Sequence, residues 1–92
     1  MATANFDELL GRIRGLLIAM GTDLSADESA EVEELLDQAE LGEALRTLAW
    51  LIVEEGKRIP MADIREMETL AVRMGISDEL PEVLTQHGIC DG

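Results

Sequence analysis

The stretch Leu41-Gly42-Glu43-Ala44-Leu45-Arg46-Thr47-Leu48-Ala49-Trp50-Leu51-Ile52-Val53-Glu54-Glu55-Gly56 decides the fold class. Leu41, Ala44, Leu45, Leu48, Ala49 and Ile52 recur at steps of three, one and three, which places them on one side of an α-helix. Trp50, Leu51 and Val53 widen that stripe until the C-terminal half is apolar nearly all round, as expected of a central helix touching several neighbours. Trp50 is expected to be partly buried there rather than to serve as a binding anchor. Gly56 stops the helix, and Lys57 and Arg58 follow its negative end, where cations are favoured.

The same periodicity extends in both directions. Upstream, Phe6, Leu9, Leu10, Ile13, Leu16, Leu17 and Met20 form one apolar face, and Gly21 is placed to end that helix in a left-handed cap. Gly11 and Gly15 share a side of it, where either a second helix approaches closely or two small residues are merely tolerated. Ser25-Ala26-Asp27-Glu28 has the form of a capping box and opens a second helix whose inner stripe is Val32, Leu35, Leu36 and Ala39. Downstream, Pro60 suits a first helical position, Met61, Ile64, Met67, Leu70, Ala71 and Met74 repeat at helical spacing, and Gly75 ends the run. The methionines are expected to fill the core. Ser77-Asp78-Glu79-Leu80-Pro81 begins one further short turn, with Leu80, Val83 and Leu84 packing back. The connections are short, so the reading is an all-α, compact antiparallel bundle of four helices, with a possible fifth turn. Residues 1–84 form the helical domain and 85–92 a weakly ordered tail.

Chemistry-bearing residues are few. The single histidine, His87, and the single cysteine, Cys90, lie in that tail, so neither nucleophilic catalysis nor a zinc site is expected from them with Asp91. One cysteine also forms no internal disulfide. Asp23, Ser25 and Asp27 alternate as in a calcium loop, with Glu34 at its twelfth place, but Glu28 stands where that loop needs glycine. No catalytic residue, metal or cofactor is expected. The N-terminal stretch lacks the basic-then-apolar order of a secretory signal, and Leu48–Val53 is too short to span a bilayer, so a soluble cytoplasmic protein is expected.

Charge is the informative feature. Twenty acidic residues oppose seven basic ones, for a formal charge of −13, which disfavours nucleic acid and anionic membranes as partners. No lysine or arginine occurs between Arg14 and Arg46, whereas Asp23, Asp27, Glu28, Glu31, Glu33, Glu34, Asp37, Glu40 and Glu43 all do. With Val32, Leu35 and Leu36 inward, Asp27, Glu34 and Asp37 point outward, flanked by Glu31, Glu33 and Glu40. A solvated face ordinarily intersperses lysines to relieve such repulsion. The candidate partner-binding residues are therefore Asp27, Glu31, Glu33, Glu34, Asp37, Glu40 and Glu43, joined by the acidic pair Glu54 and Glu55.

The segment Ala39-Glu40-Leu41-Gly42-Glu43-Ala44-Leu45-Arg46-Thr47-Leu48, followed by Trp50, Ile52, Glu54, Glu55, Ile59-Pro60 and Met74-Gly75-Ile76, resembles MafI-type immunity proteins over roughly residues 25 to 76. The shared pattern is one of helix spacing and small-residue placement. The resemblance implies a small helical protein that binds and blocks the C-terminal domain of a polymorphic or contact-dependent toxin, often a basic nuclease, and it carries over no catalytic residues. Two other readings fit a small acidic helical chain. An acidic adaptor or oligomerisation module would use the Met-rich fourth helix. An acyl carrier would need an Asp-Ser-Leu attachment site, whereas this chain has Asp23-Leu24-Ser25 and Glu28-Ser29-Ala30.

Overall fold

A computed structural model describes residues 6–89. Four helices carry the fold: α1 (Phe6–Ala19), α2 (Ala26–Asp37), α3 (Leu41–Glu54) and α4 (Met61–Met74). Helix α3 packs against α1, α2 and α4, the central position its all-round apolar half calls for. Its inner residues Ala44, Leu45, Leu48, Ala49 and Ile52 are fully buried and join Ile13, Met20, Val32, Ile64, Met67 and Leu70 in one hydrophobic core. Met67 lies inside that core, and Met61 and Met74 pack against it half-buried. The methionine stripe therefore faces inward. No charged side chain among the described residues is buried.

The helix ends follow local chemistry. Ser25 Oγ accepts from the Glu28 amide at 3.1 Å, and Glu28 Oε1 accepts from the Ser25 amide at 2.9 Å, the reciprocal capping box read from the sequence. Helices α2, α3 and α4 each end in a left-handed residue that turns two amides back onto the last carbonyls: Ala39 (φ 63°), Gly56 (φ 64°) and Gly75 (φ 73°). After α2, Ala39 N–H donates to Leu36 O and Glu40 N–H to Leu35 O; after α3, Gly56 and Lys57 do the same to Val53 and Ile52. Gly21 is not such a cap. The chain leaves α1 through successive turns in which Gly21 N–H reaches Ile18 O and Leu24 N–H reaches Met20 O, with no positive φ. Pro60 is the residue before α4 rather than its first, and Gly11 and Gly15 face open space with no helix against them.

Residues 85–89 depart from the loose tail expected of them. Residues Ser77–Glu79 and Glu82–His87 form two 3-10 turns, the second packed on α3. Residues Gly88–Ile89 then pair in parallel with Ile59–Pro60, giving strands β2 and β1 of a two-residue bridge. Leu84 is driven into the core and His87 Nδ1 lies 3.0 Å from the Lys57 carbonyl, the ring N–H donating. A Cβ at Gly88 would stand 2.5 Å from Met61 Cε, so the mobile end of that methionine would have to shift to admit any other residue there. Cys90 and Asp91 lie outside the described residues.

Candidate functional site

Helix α2 presents its carboxylates as its periodicity requires. Val32 and Leu36 are buried and Leu35 half-buried, so Asp27, Glu31 and Glu34, spaced i, i+4, i+7, run along the exposed side, with Glu33 and Asp37 beside them. Glu40 caps the start of α3 without a side-chain cap bond, Glu43 lies in its first turn, and Glu54 and Glu55 close its far end. All nine candidate side chains are exposed. The ion pair Lys57 Nζ–Glu28 Oε1 (3.1 Å) brings the C-terminal end of α3 beside the N-terminal end of α2. Asp27 therefore lies towards the same end of the helix pair as Glu54 and Glu55.

Two of the nine are not available as unpaired charges. Asp37 accepts from Arg14 Nη2 at 3.1 Å, and Glu43 is paired with Arg46, which also holds Glu79 at 2.6 Å. The interval between Arg14 and Arg46 lacks cations in sequence, but the fold returns those two arginines to its margins. Asp27, Glu31, Glu33, Glu34, Glu40, Glu54 and Glu55 make no ion pair among the described residues. Repulsion along α2 (Asp27–Glu31, Glu31–Glu34, Glu33–Asp37) costs a few tenths of a kcal/mol per pair. Glu54 and Glu55 add an unfavourable placement at a helix C-terminus.

Two further arginines are engaged elsewhere. Arg12 grips Glu66 with both prongs, Nε–Oε2 and Nη2–Oε1 each 2.7 Å, and Arg73 holds Glu8 at 3.2 Å, so two antiparallel rows of charge lock α1 to α4. The Arg12 guanidinium holds the Glu66 carboxyl below its ordinary range, and the Arg73 hydrogen bond does the same for Glu8. Glu28 is also lowered, first by the Ser25 amide and then by Lys57. The carboxylates with lowered pKa are thus structural ones at caps and helix contacts.

Trp50 departs from the partial core burial expected of it. It is 42% exposed, and its indole N–H donates to the Glu79 carbonyl at 3.3 Å, fixing the ring across the α3 surface. A feature not anticipated from the sequence is a cleft of about 330 Å³ between α4 and the two 3-10 turns, lined by Glu68, Val72, Asp78, Leu80 and Glu82 among others and by no residue of α2 or α3. The acidic residues were visible in the sequence, but their convergence depends on the ordered C-terminal turns.

Among the described residues no three histidine, cysteine, aspartate or glutamate side chains are grouped to hold a metal ion, and no helix is long and apolar enough to cross a membrane. No family model matches the chain, and no curated protein or solved structure is similar enough to count as a relative.

Proposed function

We propose that this chain is an immunity-type protein that binds a basic toxin domain, a nuclease by preference, and neutralises it by binding alone. The contact surface is the exposed side of α2 with the two ends of α3: Asp27, Glu31, Glu33, Glu34, Glu40, Glu54 and Glu55, with Asp37 and Glu43 at its margins. The observation that carries the reading is the imbalance of pairing. Five of the seven basic residues are committed to ion pairs, while these seven carboxylates are exposed and make no ion pair among the described residues. Nuclease domains are basic where they hold phosphates, and a rigid acidic helix suits that groove as a phosphate mimic. Complementary fields also accelerate encounter, which favours silencing a toxin before it acts. The same charge opposes binding to nucleic acid or anionic membrane, and the reading places the protein in the cytoplasm, where such a toxin would act.

The adaptor reading loses support from the inward-facing methionines of α4. The test of the immunity reading is co-expression with the product of the reading frame adjacent to its gene. The expected outcome is rescue of growth and a one-to-one complex; continued toxicity with both proteins present would refute it.

A further inference from the structure

Trp50 is the largest apolar side chain left exposed among the described residues, and its indole N–H is already spent on the Glu79 carbonyl at 3.3 Å. The ring is therefore held in place with no donor left to offer, and what it presents to solvent is aromatic surface, whose faces are negative. Helical spacing puts Glu43, Trp50 and Glu54 in one row, since steps of seven and four residues return to the same side of a helix. Glu54 stands about 6 Å further along the axis than Trp50, at the negative end of α3. It is exposed and makes no ion pair among the described residues. Arg46, one turn before Trp50, is held by Glu43 and Glu79, and Lys57, just past the helix, is held by Glu28. An aromatic surface, an unpaired carboxylate and the negative end of a helix dipole thus lie within about one turn of each other, and all three attract a cation. A guanidinium suits this arrangement better than an ammonium, because its plane stacks on an indole while its edge donates to a carboxylate.

We infer that Trp50 is the anchor on which the proposed basic partner sets an arginine, its guanidinium laid on the indole and hydrogen-bonded to Glu54. The inference rests on the immunity reading and adds what carboxylates alone do not supply: charge steers the encounter, whereas an aromatic anchor slows release. Trp50 is the one tryptophan of the chain, so fluorotryptophan places a single fluorine label at that position and no variant is needed. Titration of the labelled chain with the product of the reading frame adjacent to the gene should shift that fluorine resonance, with saturation at one to one. In calorimetry with the same partner at physiological salt, Trp50→Leu should weaken binding by at least about tenfold. Trp50→Phe, which keeps an aromatic face, should weaken it by clearly less. Val72→Ala, at a more exposed apolar side chain on α4, should change it by less than about twofold. Glu54→Gln should cost less in the Trp50→Leu background than in the native chain, because both residues hold the same guanidinium. A complex that leaves the fluorine resonance unmoved, or that binds Trp50→Leu as tightly as the native chain, would overturn the anchor and leave the α2 surface standing. Equal losses for Trp50→Leu and Trp50→Phe, or additive losses for Trp50→Leu and Glu54→Gln, would overturn the arginine. No complex with the native chain would overturn the immunity reading, and the anchor with it.

Discussion

Ala39 turns the chain from α2 into α3 at φ 63°, a conformation that costs an alanine roughly 1–2 kcal/mol. Gly56 and Gly75 occupy the matching positions after α3 and α4 without that penalty. Ala39→Gly should therefore stabilise the protein by about 0.5–1 kcal/mol, the relief of strain exceeding the extra freedom of the unfolded chain. Gly75→Ala should destabilise it by about 1 kcal/mol, and urea denaturation measures both. Ala39 is exposed, and its turn was not legible because its spacing on the apolar stripe of α2 makes it look like one more core residue. The capping box at Ser25 was legible because both of its hydrogen bonds are local, made within four consecutive residues. Trp50 was misread because the side of a helix it occupies depends on where the Glu79 carbonyl lies, a contact made across 29 positions.

Between elements, the bidentate Arg12–Glu66 pair fastens α1 to α4. Arg12→Ala should lower the midpoint of urea denaturation, and by more than the loss of a typical exposed pair, because both prongs are engaged and both partners are only a third exposed. Glu66 titrates below the ordinary glutamate value of 4.5 in the folded state, so its contribution is fully present above that pH and disappears as the pH falls through the lowered value. The stability difference between the native chain and Glu66→Gln should accordingly be constant near neutrality and shrink below about pH 4.5. A pH series of thermal melts reads this directly. The segment after α4 yields a sharper test. Leu84 is 1% exposed, so Leu84→Ala should cost roughly 2–4 kcal/mol, whereas in a loose tail it would cost almost nothing. Four helices were readable from apolar spacing because each buries one continuous stripe. The short turn at Ser77 and the inward packing of Leu84 were also readable, although Val83 is exposed; the order of residues 85–89 and the β1–β2 bridge were not, since they rest on contacts of Gly88 and His87 with distant Met61 and Lys57 rather than on any period.

At the scale of the whole molecule, charge is sorted rather than evenly mixed. Most of the cations are spent on fastening α1 to α4 and on the margins of α2 and α3, and Asp27, Glu31, Glu33 and Glu34 of α2 are left without an ion pair among the described residues. The acidic run was legible in the sequence because a helix repeats every few residues and fixes which side faces out. The pairing of Asp37 with Arg14 and of Glu43 with Arg46 was not, because long arginine side chains reach across the bundle from positions outside the run. The most direct measurement is stopped-flow association with the product of the reading frame adjacent to the gene, the proposed partner, across a range of salt, for the native chain and for Glu31→Lys/Glu34→Lys. The native rate constant should fall by at least about tenfold from low to high salt, and the double reversal should lower the low-salt rate and remove most of that dependence. Equal rates and equal salt slopes for the two chains would contradict an encounter guided by α2.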